Sequence, residues 1–126
     1  ARRAMVVHGQ GMDEISLLGR TRVVELRDGN ITSFELDPAD YGIAGATIDA
    51  LGSGDAIANA AVIRDILAGK ERGPRRDIVV LNAAAAIVVA ELADSLAQAI
   101  PLAEASIDEG KALHCLEQLV EISNRA

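Results

Sequence analysis

The sequence has almost no aromatic residues: tryptophan is absent, and Phe34 and Tyr41 are its only phenylalanine and tyrosine. A hydrophobic core must therefore be built from alanine, valine, isoleucine and leucine, which suit the close packing of helices. Half of the 126 residues are apolar, so there is enough apolar surface for such a core. The length fits one domain, or a large piece of one.

Cysteine and targeting signals are also scarce. The single cysteine, Cys115, excludes an intrachain disulfide and a zinc site made of several cysteines. No signal peptide follows Ala1, and the longest uncharged apolar run, Ile78 to Ala90, is shorter than the about 20 residues that span a bilayer. We therefore expect a cytoplasmic protein without a membrane segment. Because the chain does not begin with methionine, we also expect it to be a piece of a longer protein.

Basic residues are outnumbered. The chain has 12 lysines and arginines against 19 aspartates and glutamates, a formal net charge of −7, so we expect no nucleic-acid binding. The stretch from Lys70 to Arg76 holds four of the basic residues. Phosphate binding and a solvated loop both explain this stretch, and the solvated loop is favoured. An acidic chain that meets a phosphorylated substrate would need a metal ion between the two.

The first third of the sequence predicts three short strands. The apolar run Ala4 to Val7 is typical of a strand buried on both faces, as in a parallel sheet. Thr21 to Leu26 and Ile31 to Leu36 are rich in β-branched residues and flank Arg27-Asp28-Gly29-Asn30. The Asp-Gly and Gly-Asn steps of that tetrapeptide supply the positive φ angles of a tight turn, which predicts a β-hairpin.

The remainder predicts four helices. They are expected over Ala56 to Ala68, over Arg75 to Leu92, from Asp94-Ser95 toward Asp108-Glu109, and over Lys111 to Ser123. Pro101 would kink the third helix or delay its start. A lone strand and a hairpin do not make a sheet that covers four apolar helices. We therefore expect that further strands, or a partner, cover the apolar surface.

Two of these helices carry apolar positions at helical spacing. In the first, the stripe consists of Ile57, Ala60, Ala61, Ile63 and Leu67. In the last, the apolar face consists of Leu113, Leu116, Leu119 and Val120. Cys115 lies on the last helix, where a small core residue is favoured over a nucleophile.

Candidate chemistry follows the first strand, in the segment His8-Gly9-Gln10-Gly11-Met12-Asp13-Glu14. Adjacent carboxylates such as Asp13 and Glu14 can turn their oxygens toward a hard cation. Mg²⁺ suits them because it takes one or two carboxylates and keeps positions for water and phosphate oxygens. An ordinary acidic loop explains the same residues, and spacing alone favours that interpretation.

Four other polar residues have structural interpretations that are favoured over functional ones. His8 could be a ligand or a base, but it is expected to be a structural residue at the entrance of the loop. Asn82 lies within an apolar helix and is expected to make internal hydrogen bonds rather than to contact a substrate. Asp55 and Asn59 are expected to form the start of a helix.

The order of several segments resembles one enzyme family. The segments are Val6-Val7-His8-Gly9, Gly11-Met12-Asp13-Glu14-Ile15-Ser16, Glu25-Leu26-Arg27-Asp28-Gly29, Gly54-Asp55-Ala56 with Asn59-Ala60, Arg76 to Ala86, and Gly110-Lys111-Ala112-Leu113. Together they resemble the anthranilate phosphoribosyltransferases over essentially the whole chain. Met12, Ser53 and Ala58 depart from the usual family residues, and none of them affects the acidic pair.

The resemblance implies an α/β fold, in which residues 1–126 form the C-terminal portion of a phosphoribosyltransferase/nucleoside phosphorylase-type α/β domain. It implies transfer of the phosphoribosyl group from phosphoribosyl pyrophosphate to anthranilate in tryptophan biosynthesis. It also implies Mg²⁺ held by Asp13 and Glu14, and a homodimer for the complete enzyme. The family's N-terminal helical domain and its Gly-Thr-Gly-Gly-Asp pyrophosphate loop are absent from this sequence. The chain alone is therefore expected to be inactive.

Two alternatives remain. Pyrimidine nucleoside phosphorylases share the broad fold, but the segments Arg76 to Ala86 and Glu25 to Gly29 are closer to the transferases. A non-catalytic structural or interaction module derived from the fold is the second alternative.

Overall fold

The structure is a computed structural model, and it describes residues 1–125. Three strands precede four helices, in the predicted order. The strands are β1 (Arg3–Gly9), β2 (Thr21–Arg27) and β3 (Asn30–Leu36). The helices are α1 (Ala56–Leu67), α2 (Pro74–Val89), α3 (Leu96–Asp108) and α4 (Lys111–Ser123). Two short 3₁₀ turns, Pro38–Tyr41 and Asp49–Leu51, lie in the connection between β3 and α1.

The strands form one antiparallel sheet in the order β1-β2-β3. The β2–β3 hairpin is confirmed, with Arg27 opposite Asn30 at its closed end. Asp28 and Gly29 occupy the turn with φ angles of 52° and 78°. Positive φ at both central residues belongs to the turn type whose twist matches that of the flanking strands.

The prediction for β1 was wrong in two respects. β1 runs antiparallel to β2, with Val6 opposite Val24, so it is neither a parallel strand nor separate from the hairpin. It is also covered on one face only, because Val6 is 70% exposed while Val7 packs against the core. Alternate side chains of a strand point to opposite faces, and a run of four apolar residues does not reveal which strand pairs with it.

The core lies between one face of the sheet and α2. Val23 and Leu36 from the sheet meet Leu81 and Val88 from α2. A second cluster joins α2 to α3 through Val80, Ala103 and Ile107. Alanines on both helices, at 84, 85, 99 and 103, are buried and allow the two backbones to approach closely. Within α2, Ala86 alone is exposed, so this helix is covered on nearly all sides.

The predicted stripe on α1 does not face the core. Ile57 is 83% exposed and Ile63 is also exposed, whereas the buried residue of this helix is Ile66. α1 carries apolar residues on more than one side, so periodicity alone did not identify the packed face.

The last two helices begin and end close to their predicted limits. Ser95 starts α3 by accepting a hydrogen bond from the backbone of Gln98 at 3.2 Å. Pro101 lies inside α3, so it does not delay the start of the helix. On α4, Leu113 and Leu116 are half-buried, but Leu119 and Val120 are exposed. Cys115 is exposed as well, which contradicts its prediction as a core residue.

Within residues 1–125, every helix is too short or too polar to cross a bilayer.

Candidate metal centre

A tight turn places the acidic pair directly after β1. Gly9 and Met12 face each other through two backbone hydrogen bonds, from Gly9 N to Met12 O at 3.1 Å and from Met12 N to Gly9 O at 3.0 Å. The two residues between them, Gln10 and Gly11, have φ angles of 54° and 82°. The chain therefore reverses within four residues, and Asp13 is the first residue beyond the turn.

Gly9 lies where a larger residue does not fit. A Cβ atom at this position would stand 2.6 Å from Thr21 Oγ1, 2.7 Å from Ser16 Cβ and 2.8 Å from the backbone oxygen of Glu14. Distances this short require the backbone or the neighbours to move. The absence of a side chain on Gly9 therefore allows the end of β1 to pack against the backbone of the acidic pair.

Buried polar contacts hold the segment that follows Glu14. Thr21 Oγ1 accepts a hydrogen bond from the backbone N–H of Ser16 at 2.9 Å, and both residues are fully buried. Ser16 Oγ in turn accepts from Leu18 N at 2.9 Å. Ile15 and Leu17 enter the main core on either side of Ser16. The backbone is thus anchored immediately beyond the carboxylates.

Asn82 on α2 makes the longest-range contact with this loop. Its Oδ1 accepts from the backbone N–H of Ile15 at 2.9 Å, and its Nδ2 donates to the backbone oxygen of Ile15 at 2.8 Å. A further hydrogen bond runs from Nδ2 to Ile78 O at 2.9 Å. The prediction that Asn82 makes internal hydrogen bonds is confirmed.

The side chains of Asp13 and Glu14 are exposed to solvent. The ion pairs within residues 1–125 include neither carboxylate, and neither accepts a side-chain hydrogen bond there. Their oxygens are therefore available to an external cation. This donor set fits Mg²⁺, which is satisfied by one or two carboxylates with water and phosphate oxygens.

The same donor set does not fit a metal held entirely by protein. Among the described residues, no three histidine, cysteine, aspartate or glutamate side chains are grouped closely enough to hold an ion. His8 is exposed on β1, opposite Arg22, and does not complete such a group. Most ligands of a cation at Asp13 and Glu14 would have to come from water or from a bound anion.

A groove of about 230 Å³ lies beside Glu14, between the loop and α1. Met12, Ser53 and Arg75 also line it. Arg75 donates from Nη2 to Gly52 O at 3.1 Å, and its buried Nε has no hydrogen-bond partner within residues 1–125. No sequence pattern indicated this groove, because its walls come from segments far apart in the chain.

Asp55 and Asn59 form the start of α1, as predicted. Asp55 Oδ1 accepts from Ala58 N at 2.8 Å. Asn59 Oδ1 accepts from Gly54 N at 2.8 Å, and its Nδ2 donates to Gly54 O at 3.0 Å. These contacts satisfy polar groups of the helix start, so the two side chains are already engaged.

The prediction of a solvated loop from Lys70 to Arg76 was wrong at its end, because residues 74–76 belong to α2 and Arg76 is buried. Arg76 is only 6% exposed and donates to both carboxylate oxygens of Asp108 on α3, at 3.0 and 3.2 Å. The hydrogen bond from Arg76 lowers the pKa of Asp108, and the charges of Arg76 and Arg72 act in the same direction. Burial raises the pKa of the neighbouring Asp77. The Arg76–Asp108 ion pair joins α2 to α3.

Comparison with known proteins identifies the family. The model of the glycosyl transferase family, a/b domain, matches residues 1–113. The chain belongs to this family. It is 52% identical to an anthranilate phosphoribosyltransferase from Methanocorpusculum labreanum over 122 residues, which are 97% of this chain and 36% of that protein. The resemblance inferred from the sequence is therefore confirmed, as is the α/β fold class.

Two solved structures have the same fold. The anthranilate phosphoribosyltransferase from Thermus thermophilus matches with a TM-score of 0.85 and 38% identity, over 94% of this chain and 35% of that chain. The enzyme from Saccharomyces cerevisiae in complex with PRPP and Mg matches with a TM-score of 0.83 and 27% identity, over 93% of this chain and 34% of that chain. The chain thus spans about a third of the length of these relatives.

Proposed function

We propose that this chain is the magnesium-binding part of an anthranilate phosphoribosyltransferase, with Asp13 and Glu14 as the metal-binding residues. The proposed reaction is transfer of the phosphoribosyl group of phosphoribosyl pyrophosphate to the amino group of anthranilate, in tryptophan biosynthesis. The observation that carries the proposal is that the carboxylates of Asp13 and Glu14 are exposed, form no ion pair within residues 1–125, and lie on an anchored loop. The names of the relatives, at up to 52% identity, support the choice of reaction.

The chemistry of the loop suits this reaction. When bound, Mg²⁺ supplies Lewis-acid stabilisation of the charge that develops on the pyrophosphate leaving group. Asp13 and Glu14 would hold the cation with two negative charges. The cation would then lie between this acidic chain and the anionic substrate. Hydrogen bonds on both sides of the pair hold the backbone from which the two carboxylates project.

Under this proposal, other parts of the complete enzyme supply the rest of the active site. Residues 1–126 correspond to the C-terminal part of the α/β domain. A pyrophosphate loop and an N-terminal helical domain would complete the substrate sites and the homodimer, in the cytoplasm. The chain alone is therefore expected to lack turnover with phosphoribosyl pyrophosphate and anthranilate.

A chimera tests the proposed function. This chain would replace the matching third of the Thermus thermophilus enzyme, and consumption of anthranilate would be measured with phosphoribosyl pyrophosphate and Mg²⁺. We expect turnover that falls at least about 100-fold when Asp13→Asn and Glu14→Gln are introduced together. A folded chimera whose activity is indifferent to that double substitution would contradict the role of the pair.

A non-catalytic interaction module is the second candidate. It is favoured by the outer face of the sheet, where Val6 and Ile31 are 70% and 73% exposed. Turnover by the chimera would exclude this alternative for the parent protein. A stable, monodisperse monomer of the chain with no turnover in the chimera would favour it.

A further inference from the structure

Asn82 meets the loop through a two-sided contact. The side-chain amide pairs with both the N–H and the C=O of Ile15, as a neighbouring strand would, across a separation of 67 residues. The third hydrogen bond, from Nδ2 to Ile78 O, fixes the orientation of the amide. Both neighbouring carbonyl oxygens require a donor, so the NH₂ group must face them and Oδ1 must face the N–H of Ile15.

The contact begins on the most buried helix of the fold. Residues on either side of Asn82 along the packed face, Leu81 and Ala85, belong to the main core. An amide on such a helix is unfavourable unless its polar atoms are satisfied, and here each of them is. The geometry therefore connects a rigid element directly to the residue that follows Glu14.

We propose that Asn82 is a positioning residue for the carboxylates of Asp13 and Glu14. Its two hydrogen bonds to the backbone of Ile15 fix the chain immediately after Glu14. The Gly9–Met12 turn fixes the chain immediately before Asp13. Asn82 itself does not touch the cation. This inference rests on the proposed magnesium site and deepens it, because groups that orient metal ligands commonly change metal affinity about 10- to 100-fold when they are removed.

The test compares cation affinity in four variants of the 126-residue chain. Mn²⁺ is the probe, because it takes the same oxygen ligands and broadens the resonances of nearby amides. Asn82→Leu removes all three hydrogen bonds at similar side-chain size, and Asn82→Ala is a milder variant in which water can reach Ile15. Val80→Ala is the matched control, since it weakens α2 in the second cluster, away from the loop. Asp13→Asn with Glu14→Gln removes the metal-binding residues.

We expect Asn82→Leu to lower the Mn²⁺ affinity measured at the Glu14 amide by about 10-fold. Val80→Ala should leave that affinity unchanged, although it also lowers the free energy of unfolding. If Asn82→Leu does not fold, Asn82→Ala is judged by the same criterion, with a smaller expected loss. Equal affinities in the Asn82 variants and the wild type would overturn the positioning role, as would a loss matched by Val80→Ala.

The two proposals fail in different ways. If broadening at Glu14 survives Asp13→Asn with Glu14→Gln, the magnesium site is wrong and the role of Asn82 falls with it. If the double variant abolishes broadening while the Asn82 variants keep wild-type affinity, the magnesium site stands and only the positioning role is overturned.

Discussion

At the scale of single residues, three uncharged neighbours determine where the acidic pair lies. Gly9 leaves space for the backbone of Glu14, Thr21 accepts a hydrogen bond from Ser16, and Asn82 holds Ile15. Each of these residues contacts the backbone of the loop, so the loop conformation does not depend on the charges of Asp13 and Glu14. Substitutions at these neighbours should therefore disturb the site without changing its charge.

Gly9→Ala should lower the free energy of unfolding by about 1–3 kcal/mol, because the added methyl group overlaps three neighbours. Gly45→Ala is the control, since a Cβ there meets only Leu17 O, at 3.4 Å, and the expected change is within about 0.5 kcal/mol. Urea unfolding of both variants measures the difference. Equal stability of the two would show that the loop can accommodate a methyl group without strain.

The stabilising effect of Asp108 should be lost in acid. The hydrogen bond from Arg76 lowers the pKa of Asp108 in the folded state, so its stabilising effect is complete above the unfolded pKa of about 3.9 and is lost as pH falls through the lower folded pKa. The stability difference between wild type and Asp108→Asn should therefore be constant from about pH 7 to 5 and narrow below about pH 4. Asp77, whose pKa is raised by burial, is present in both proteins. A difference that stays constant down to about pH 3 would contradict this expectation.

At the scale of elements, the sequence predicted local features well and pairing partners poorly. The β2–β3 hairpin was predictable because Asp28 and Gly29 carry the turn within two adjacent residues. The limits of α4 followed from Gly110 and the apolar spacing after it. The antiparallel pairing of β1 with β2 was not predictable, because four apolar residues in a row do not show which strand lies beside them.

In the candidate site, too, the sequence predicted some features and not others. Asp13 and Glu14 were identified from family resemblance, whereas spacing alone favoured an ordinary acidic loop. Asn82 was expected to make internal hydrogen bonds, but nothing local names Ile15 as its partner. Likewise, no local pattern connects Arg76 to Asp108, because their contact requires α2 and α3 to be packed first.

Pro101→Ala should strengthen α3. Proline has no N–H for the carbonyl of Ala97, and it is exposed, so its replacement adds a helical hydrogen bond without removing core contacts. We expect the free energy of unfolding, measured by urea titration, to rise by about 1 kcal/mol or more. This is the net gain, because alanine also makes the unfolded chain more flexible and so offsets part of the stabilisation. Pro74→Ala is the control, because Pro74 is the first residue of α2, where no N–H is needed. A gain at Pro74 equal to that at Pro101 would refute the explanation.

At the scale of the whole molecule, the core is one-sided. The helices cover the inner face of the sheet, while Val6, Val24, Leu26 and Ile31 lie together on its outer face, as the strand register requires. Apolar side chains are therefore exposed on this face within the described residues. The chain spans about a third of the length of the relatives that it matches.

The outer face should bind a hydrophobic dye. Val6→Thr with Ile31→Thr keeps β-branched side chains in the strands and should reduce dye fluorescence, with a stability change within about 1 kcal/mol. Ile57→Thr on α1 is the comparison, because that side chain is exposed on another part of the surface. Dye binding that does not respond to the double substitution would place the apolar surface elsewhere.

The most direct test of the proposed metal centre is a Mg²⁺ titration of the chain followed by amide resonances. We expect weak binding, at concentrations on the order of millimolar, with changes centred on Asp13 and Glu14, because two carboxylates leave most positions to water. The changes should disappear in Asp13→Asn with Glu14→Gln and persist in Asp28→Asn with Glu117→Gln, which removes the same charge elsewhere. Tight binding that survives the first double substitution would contradict the assignment of the metal centre.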